Sequence, residues 1–211
     1  MSSEVTESGG DIDLGSGGEM LLPDLTDSGG NVKHLVVGAG KDSNIYVVDR
    51  DNMGKFNASQ NNVWQEIDGI VPGNPPGAST GGVRGSPAWF NGNIYYGDAG
   101  GTLKAFSVTN AKLSTTPTSQ SAITFAYPGA SPVVSANGTS NAIVWAHENT
   151  TPAVLHAYDA SNLSHELYNS NQATGSRDQF GPGNKFIAPT VAGGKVFVGT
   201  TNTLAIFGLL H

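Results

Sequence analysis

The stretch GSPAWFNGNIYYGDAGGTLKAF (85–106) joins short apolar segments through a tight turn and a glycine loop. Asn91-Gly92 separates the first apolar segment from NIYYG (93–97), and Asn-Gly pairs accept the positive φ angles that two-residue hairpin turns need. A further alternating segment, TLKAF (102–106), follows the glycine loop. The stretch therefore predicts three consecutive antiparallel strands.

The same pattern recurs in three other parts of the chain. Its equivalent starting residues are Ser16, Ser86, Ser131 and Ala188, spaced by 70, 45 and 57 residues. A period of about 40–50 residues that holds several short strands is typical of a propeller blade. The sequence thus predicts an all-β fold, a β-propeller of about four blades of antiparallel strands. We place the units at about 11–66, 67–122, 123–175 and 176–211, after a flexible amino-terminal segment at 1–10.

The second strand of each unit is a continuous apolar run. The four runs are Leu35–Val37, Ile94–Tyr96, Ile143–Trp145 and Val196–Val198. Strands of this kind are covered on both faces, which predicts sheets stacked face to face. The fourth unit ends after its third strand, and DIDL (11–14) is a candidate for the missing one. The sequence permits either a closed ring completed by this segment or an open half-ring that self-associates through its edges.

Composition excludes several classes of function. The formal net charge is −7, and the ten lysines and arginines are scattered, which disfavours nucleic acid and anionic membranes as partners. There is no apolar run long enough for a membrane span, and the stretch MSSEVTESGG (1–10) lacks the basic and apolar regions that would predict a signal peptide. The chain has no cysteine, and its five histidines lack metal-ligand spacing, so we predict no disulfide and no metal site.

The repeats resemble those of pyrroloquinoline-quinone-type β-propellers, also called quinoprotein alcohol dehydrogenase-like propellers. The resemblance implies a carboxy-terminal portion with about four blades, a periplasmic or extracellular location, and a docking role for Trp64 on its outer strand. For an enzyme of this family it implies pyrroloquinoline quinone with calcium as the cofactor. The stretches that carry it are NIYVVDRDNMGKF (44–56), Ser86-Pro87 with NIYYGDAGGTLKAF (93–106), SPVV (131–134) with VLHAYDASN (154–162), and APTVAGGKVFVGTTNTLAIF (188–207).

One rim of the predicted propeller gathers most of the charged loops. Antiparallel strands alternate in direction, so the loops between second and third strands share a face with the connections between blades. Converging polar groups at such a mouth are candidates for ligand binding. These rim residues are Lys41, Asp42, Arg84, Asp98, His147, Glu148, Arg177 and Lys185.

Two functions follow from these features. The missing cysteines and metal motifs favour a noncatalytic repeat module, a scaffold for assembly or for binding a small molecule or protein at the rim. The alternative, implied by the resemblance, is part of a quinone-dependent alcohol or sugar dehydrogenase. In that enzyme Asp178 would be the catalytic base, and rim residues with calcium would hold the quinone. We assign most aromatic residues, Tyr127 and Phe186 among them, to packing between blades.

Overall fold

The computed structural model describes residues 9–70 and 81–209. Within these ranges the chain consists of short strands with two 3-10 turns, Leu14–Ser16 and Thr174–Ser176. The segment predicted to be flexible, residues 1–10, lies outside the described residues except for its last two. Most of the connection between the first two units, residues 71–80, also lies outside them.

The first part of the chain forms one sheet and one separate hairpin. In chain order its strands are β1 (Met20–Leu21), β2 (Leu25–Thr26), β3 (Val32–Lys33), β4 (Leu35–Ala39), β5 (Ile45–Asp49) and β6 (Gln65–Ile67). The first sheet has four antiparallel strands in the order β1-β4-β5-β6, and β2 and β3 form the hairpin. The outer strand β6 is followed by Asp68 and Gly69 and leads towards the second sheet.

The second sheet has an outer strand that is divided into two pieces. Its strands are β7 (Ala88–Phe90), β8 (Asn93–Gly97), β9 (Thr102–Thr109), β10 (Lys112–Leu113) and β11 (Ser119–Thr124). Strand β10 pairs with the end of β9, and β11 pairs with its beginning. The two pieces together occupy the position that a single outer strand has in the first sheet.

The third sheet has four strands and the fourth has three. The third runs in the order β12 (Val133–Asn137), β13 (Ser140–Glu148), β14 (Val154–Asp159) and β15 (Asn162–Asn169). The fourth runs in the order β16 (Thr190–Ala192), β17 (Lys195–Gly199) and β18 (Leu204–Phe207). The prediction of an all-β fold with about four antiparallel sheets is therefore confirmed.

The hydrophobic core lies in layers between successive sheets. In β8, Ile94 and Tyr96 face the first sheet while Tyr95 faces the third, as the two-residue period of a strand requires. One layer joins the first and second sheets, a second joins the second and third, and a third joins the third and fourth. Among the described residues no core layer joins the fourth sheet to the first, so the four sheets form an open arc.

The resemblance implied that Trp64 docks on a neighbouring blade, and the structure shows this contact. The indole Nε1 of Trp64 donates a hydrogen bond to the carbonyl oxygen of Ala111 in the second sheet, at 2.6 Å. The next residue, Gln65, exchanges two hydrogen bonds with the backbone of Leu113. These bonds fix the outer edge of the first sheet against the second.

Two sequence predictions about strand positions need correction. Ser86, Ser131 and Ala188 each lie two residues before the first strand of their sheet, but Ser16 lies four residues before β1, because Gly17 and Gly18 intervene. The segment DIDL (11–14) does not supply a fourth strand to the fourth sheet. It lies against the first sheet instead, where the carbonyl oxygen of Asp13 accepts a hydrogen bond from the backbone of Lys41.

Gly97 is expected to be intolerant of a side chain because the second and third sheets meet there. A Cβ atom at this position would lie 2.6 Å from the carbonyl oxygen of Ala130 and 2.9 Å from its Cβ. We expect Gly97→Ala to lower the free energy of unfolding by about 1–3 kcal/mol in urea denaturation. Gly15→Ala is the control, because a Cβ there meets nothing within 4 Å. Equal stability of the two variants would contradict this close packing.

None of the helical segments in the described ranges has the length and apolar character needed to cross a bilayer.

Candidate functional site

The loops between second and third strands and the connections between sheets meet at one end of the arc. The backbone N–H of Val83, in a connection, donates to the carbonyl oxygen of Gly40 at 2.7 Å. On the third and fourth sheets, the N–H of Gly183 donates to the carbonyl oxygen of Thr150 at 2.8 Å. We call this end the loop face. It is the surface on which the sequence places the rim residues.

Two cations converge on one aromatic ring of the loop face. The guanidinium carbon of Arg84 lies 5.0 Å from the centre of the Tyr127 ring, and Nζ of Lys185 lies 5.2 Å from it. Both distances are within the range of cation–π attraction. The ring of Phe186 meets Tyr127 edge to face, with centroids 6.3 Å apart. We call Arg84, Tyr127, His147, Lys185 and Phe186 the Tyr127 cluster.

Phe186 is held in an unusual position for a large apolar residue. Its φ angle is 62°, in the left-handed region that bulky side chains rarely occupy, and it is 60% exposed. Backbone strain of this kind is found at ligand-binding sites more often than elsewhere. The connection between the third and fourth sheets therefore presents an aromatic ring to solvent, beside the two cations.

His147 forms the floor of the cluster. It is 3% exposed, it lines the same small cleft as Arg84 and Phe186, and its Nε2 has no hydrogen-bond partner among the described residues. Burial lowers the pKa of His147 to about 4, because the charged imidazolium loses its hydration. The ring is therefore neutral at pH 7 and keeps one nitrogen for a further hydrogen bond.

The cleft itself encloses only about 10 Å³, roughly the space of one water molecule. Asn149 and Asn184 stand on its edge, and the amide of Asn149 donates to the carbonyl oxygen of Tyr127 at 3.1 Å. The cleft combines basic, aromatic and amide groups in a chain with a net charge of −7. Its chemistry suits a negatively charged group that lies across the surface.

Two larger hollows lie at the opposite end of the sheets. One, of about 470 Å³, is lined by Asn91, Asn141 and Ser161 among others, and the other, of about 530 Å³, by Asn52, Gln60 and Asn61. Both are open, and amides line each of them together with apolar side chains. Neither contains any of the rim residues, so we do not assign the site to them.

The rim residues of the first sheet have partners of their own. Nζ of Lys41 is paired with the carboxylates of Asp11 and Asp13, at 2.9 and 2.8 Å. The carboxylate of Asp42 accepts a hydrogen bond from the hydroxyl of Tyr46 at 2.5 Å. These contacts hold the loop between β4 and β5 together.

Asp98 and Glu148 also contact basic side chains of their own sheets, Lys104 and His156. Asp98 is fully buried, and its Oδ1 lies 2.5 Å from Nζ of Lys104. Burial nevertheless raises the pKa of the Asp98 carboxyl, an effect that the nearby ammonium opposes. Glu148 contacts Nε2 of His156 at 3.2 Å, while Glu166 contacts Nδ1 of the same ring at 2.6 Å. Both groups lie between sheets.

Arg177 and Asp178 form a pair with each other. The guanidinium donates to both carboxylate oxygens, and the hydroxyl of Tyr168 donates to Oδ2 of Asp178 at 2.7 Å. The hydrogen bonds from Arg177, and then that from Tyr168, lower the pKa of Asp178 to about 2. A carboxylate with this pKa is a weak general base at neutral pH.

The residues of the loop face do not fit a quinone and calcium. The carboxylates that the resemblance would use are divided among three sheets, and each is bound to a cation, an imidazole or a tyrosine hydroxyl of its own sheet or loop. Among residues 9–70 and 81–209, no group of three or more histidine or carboxylate side chains could hold a metal ion. We therefore derive no redox step through such a cofactor.

Sequence reasoning placed Arg84, His147 and Lys185 on this face but missed the aromatic side chains that join them. The sequence pattern assigns Tyr127 and Phe186 to packing between blades, whereas Tyr127 is half-buried and Phe186 is exposed in the structure. Their sequence neighbours, Pro128-Gly129 and Asn184, place them on connections rather than strands. That signal was present in the sequence, because aromatic residues on loops do not share the alternating pattern of a core strand.

Comparisons with known proteins identify the fold but no family. No protein-family model and no curated protein matches this chain. Among solved structures, the β-propeller BamB from Moraxella catarrhalis superimposes with a TM-score of 0.51 at 14% sequence identity, over 91% of this chain and 49% of its own. The fold is a β-propeller.

Two computationally designed proteins also superimpose on 83% of this chain, each with a TM-score of 0.48. They are Ika8, at 14% identity over 43% of its own chain, and Ika4, at 12% identity over 85% of its own chain. This chain therefore spans less than half the length of BamB and Ika8.

Proposed function

We propose that this chain is a noncatalytic β-propeller scaffold that binds an acidic segment of a partner protein at the Tyr127 cluster. The observation that carries the proposal is the convergence of Arg84 and Lys185 on the ring of Tyr127. Two cations held 5.0 and 5.2 Å from one ring centre create a local positive site on an acidic molecule. Such a site attracts carboxylates and orients them as they bind.

A protein segment fits this surface better than a small molecule does. Small-molecule sites enclose about 300–1,000 Å³, whereas this cleft encloses about 10 Å³. A ligand here would lie across the loop face and insert at most one small group. The exposed ring of Phe186 supplies apolar contact area beside the cations, as aromatic residues do at protein interfaces.

Three residues of the cluster have distinct roles in this proposal. Arg84 is oriented by its hydrogen bond to the carbonyl oxygen of Gly81, and its positive charge adds to the attraction for a carboxylate. Lys185 is exposed and adds a second, more mobile charge. The neutral, buried ring of His147 lines the cleft and supports the residues around it.

The described residues contain no arrangement of side chains that matches a quinone-dependent dehydrogenase. We therefore propose the scaffold as the function. The family resemblance in the repeats supports a periplasmic or extracellular location for such a scaffold. BamB supports the propeller architecture alone, because the two sequences are 14% identical.

Reversing the charge of Lys185 is expected to weaken binding of an acidic peptide. With a hexaglutamate peptide as the probe, we expect Lys185→Glu to raise the dissociation constant by about tenfold at low salt. The physical reason is that an attraction on the loop face becomes a repulsion. Isothermal titration calorimetry with the purified protein measures this change, and binding should also weaken as salt is added.

Lys55→Glu is the matched control, because Lys55 is exposed on a connection at the opposite end of the sheets and the variant has the same net charge. The control is expected to bind hexaglutamate as the unchanged protein does. Equal weakening in both variants would mean that only net charge matters. That result, or a failure of the unchanged protein to bind hexaglutamate, would overturn the proposal.

A further inference from the structure

The two end sheets of the arc each have one apolar face that no other described sheet covers. Leu21, Val36 and Val48 lie side by side across the first sheet, and we call them the first outer face. Phe197, Leu204 and Ile206 share one side of the fourth sheet, and we call them the fourth outer face. Leu21, Leu204 and Ile206 are 65%, 61% and 57% exposed.

The strand sequences at these two ends are suited to burial on both faces. In β8 of the second sheet, Ile94, Tyr95 and Tyr96 are all fully buried, because sheets lie on both sides. The equivalent runs in β4 and β17 are just as apolar, but only alternate residues are fully covered. Continuous apolar strands are typical of sheets with two covered faces, so each end sheet lacks one neighbour.

The three core layers show how a neighbour would bind. In each of them, one sheet packs a face against the next sheet in the chain, and the contact is head to tail rather than between identical faces. Each of the first three sheets uses one of its two sides to contact the next sheet in the chain. The fourth outer face is the corresponding side of the fourth sheet. The first outer face is the counterpart that a preceding sheet would cover.

Charge also favours contact between the two different faces. Glu19 lies over Gly38 on the first outer face, and Glu66 lies opposite Tyr46 on the same side. The strands of the fourth sheet carry Lys195 and no acidic residue, and Lys195 is on the side of Phe197. Two first outer faces would repel each other, whereas the first and fourth attract.

We propose that two copies of this chain pair head to tail through these faces and close a ring of eight sheets. Each fourth outer face covers the first outer face of the other copy, so both contacts form at once and the assembly is closed. A ring of that size agrees with the superposition on BamB, whose chain is about twice as long as the part that this chain covers. This inference concerns assembly and is independent of binding at the Tyr127 cluster.

Mass in solution tests the pairing directly. We expect sedimentation equilibrium to give twice the chain mass of 21.7 kDa. Leu21→Lys and Ile206→Lys each place a charge in both contacts of the ring, so each variant is expected to sediment with half the mass of the unchanged protein. Met53→Lys is the control, because Met53 is 67% exposed on a connection outside both faces, and it should remain a dimer.

Mixing the two variants distinguishes head-to-tail pairing from other dimers. A pair made of one Leu21→Lys chain and one Ile206→Lys chain keeps one contact with no substitution, so we expect the mixture to recover part of the dimer. Circular dichroism of each variant shows whether its strands are intact. A monomeric unchanged protein would overturn the proposal. So would a folded Ile206→Lys or Leu21→Lys variant that stays dimeric.

Discussion

Replacing Lys104 with methionine is expected to lower the free energy of unfolding by about 3–5 kcal/mol. The side chain of Lys104 is 10% exposed and holds Oδ1 of the fully buried Asp98 at 2.5 Å. The other carboxylate oxygen of Asp98 has no hydrogen-bond partner among the described residues. Removing the ammonium leaves a buried charge with no cation, and this costs more than the loss of the pair itself.

Urea denaturation at pH 7 measures this loss. The double variant Asp98→Asn with Lys104→Met removes the buried charge as well, and we expect it to recover about 2 kcal/mol relative to Lys104→Met. Lys55→Met is the control, since Lys55 lies on an exposed connection. A Lys104→Met protein as stable as this control would show that the pair does not stabilise the second sheet.

The loss in free energy of unfolding caused by Lys104→Met should also depend on pH. Burial already raises the pKa of Asp98 with the lysine present, and it acts unopposed without it. A carboxyl whose pKa is higher in the folded state binds its proton more tightly there, so the folded state gains stability as the pH falls through that pKa towards the ordinary value of 3.8. The stability difference between the variant and the unchanged protein should therefore shrink between pH 7 and pH 4.

The second large effect is a loss of stability in acid that depends on His147. Its pKa is about 4 in the folded protein, against 6.5 for an ordinary histidine, because burial disfavours the imidazolium. The fold therefore favours the neutral ring. The contribution of His147 to the free energy of unfolding is complete above pH 6.5, and it is lost as the pH falls through 4. The shift corresponds to about 3 kcal/mol.

His147→Gln keeps a polar side chain at this position but cannot titrate. We expect the unchanged protein to lose about 3 kcal/mol more than this variant between pH 7 and pH 4, in urea denaturation at each pH. His165→Gln is the control, because the side chain of His165 is 63% exposed. If His147→Gln and the unchanged protein lose equal stability, His147 is not held neutral by the fold.

Local chemistry made much of the fold predictable. The Asn91-Gly92 pair forms the expected two-residue turn, with φ angles of 42° and 80°, and joins Phe90 to Asn93. Such turns depend on neighbouring residues alone, and so do the alternating strands that flank them. The four sheets could therefore be inferred from the order of turns and apolar runs, without knowledge of distant contacts.

The features that sequence reasoning missed depend on distant parts of the chain. DIDL has the alternation of a strand, but the pairing of Asp11 and Asp13 with Lys41 places it against the first sheet. The side chains of Tyr127 and Phe186 meet across 59 residues of sequence, at the junction of three connections. Alternation of apolar and polar residues predicts a single strand. Contacts between side chains that are distant in the sequence depend on how whole sheets are positioned.

The divided outer strand of the second sheet has a mechanical consequence. Strand β10 is bonded through Leu113 to Gln65 of the first sheet, and β11 is bonded through Ser119 to Leu163 of the third. Hydrogen bonds resist sliding because they are directional, whereas apolar contacts between flat faces tolerate small shifts. Shear among the first three sheets is therefore resisted at their outer edge by directional hydrogen bonds as well as by the apolar layers between them.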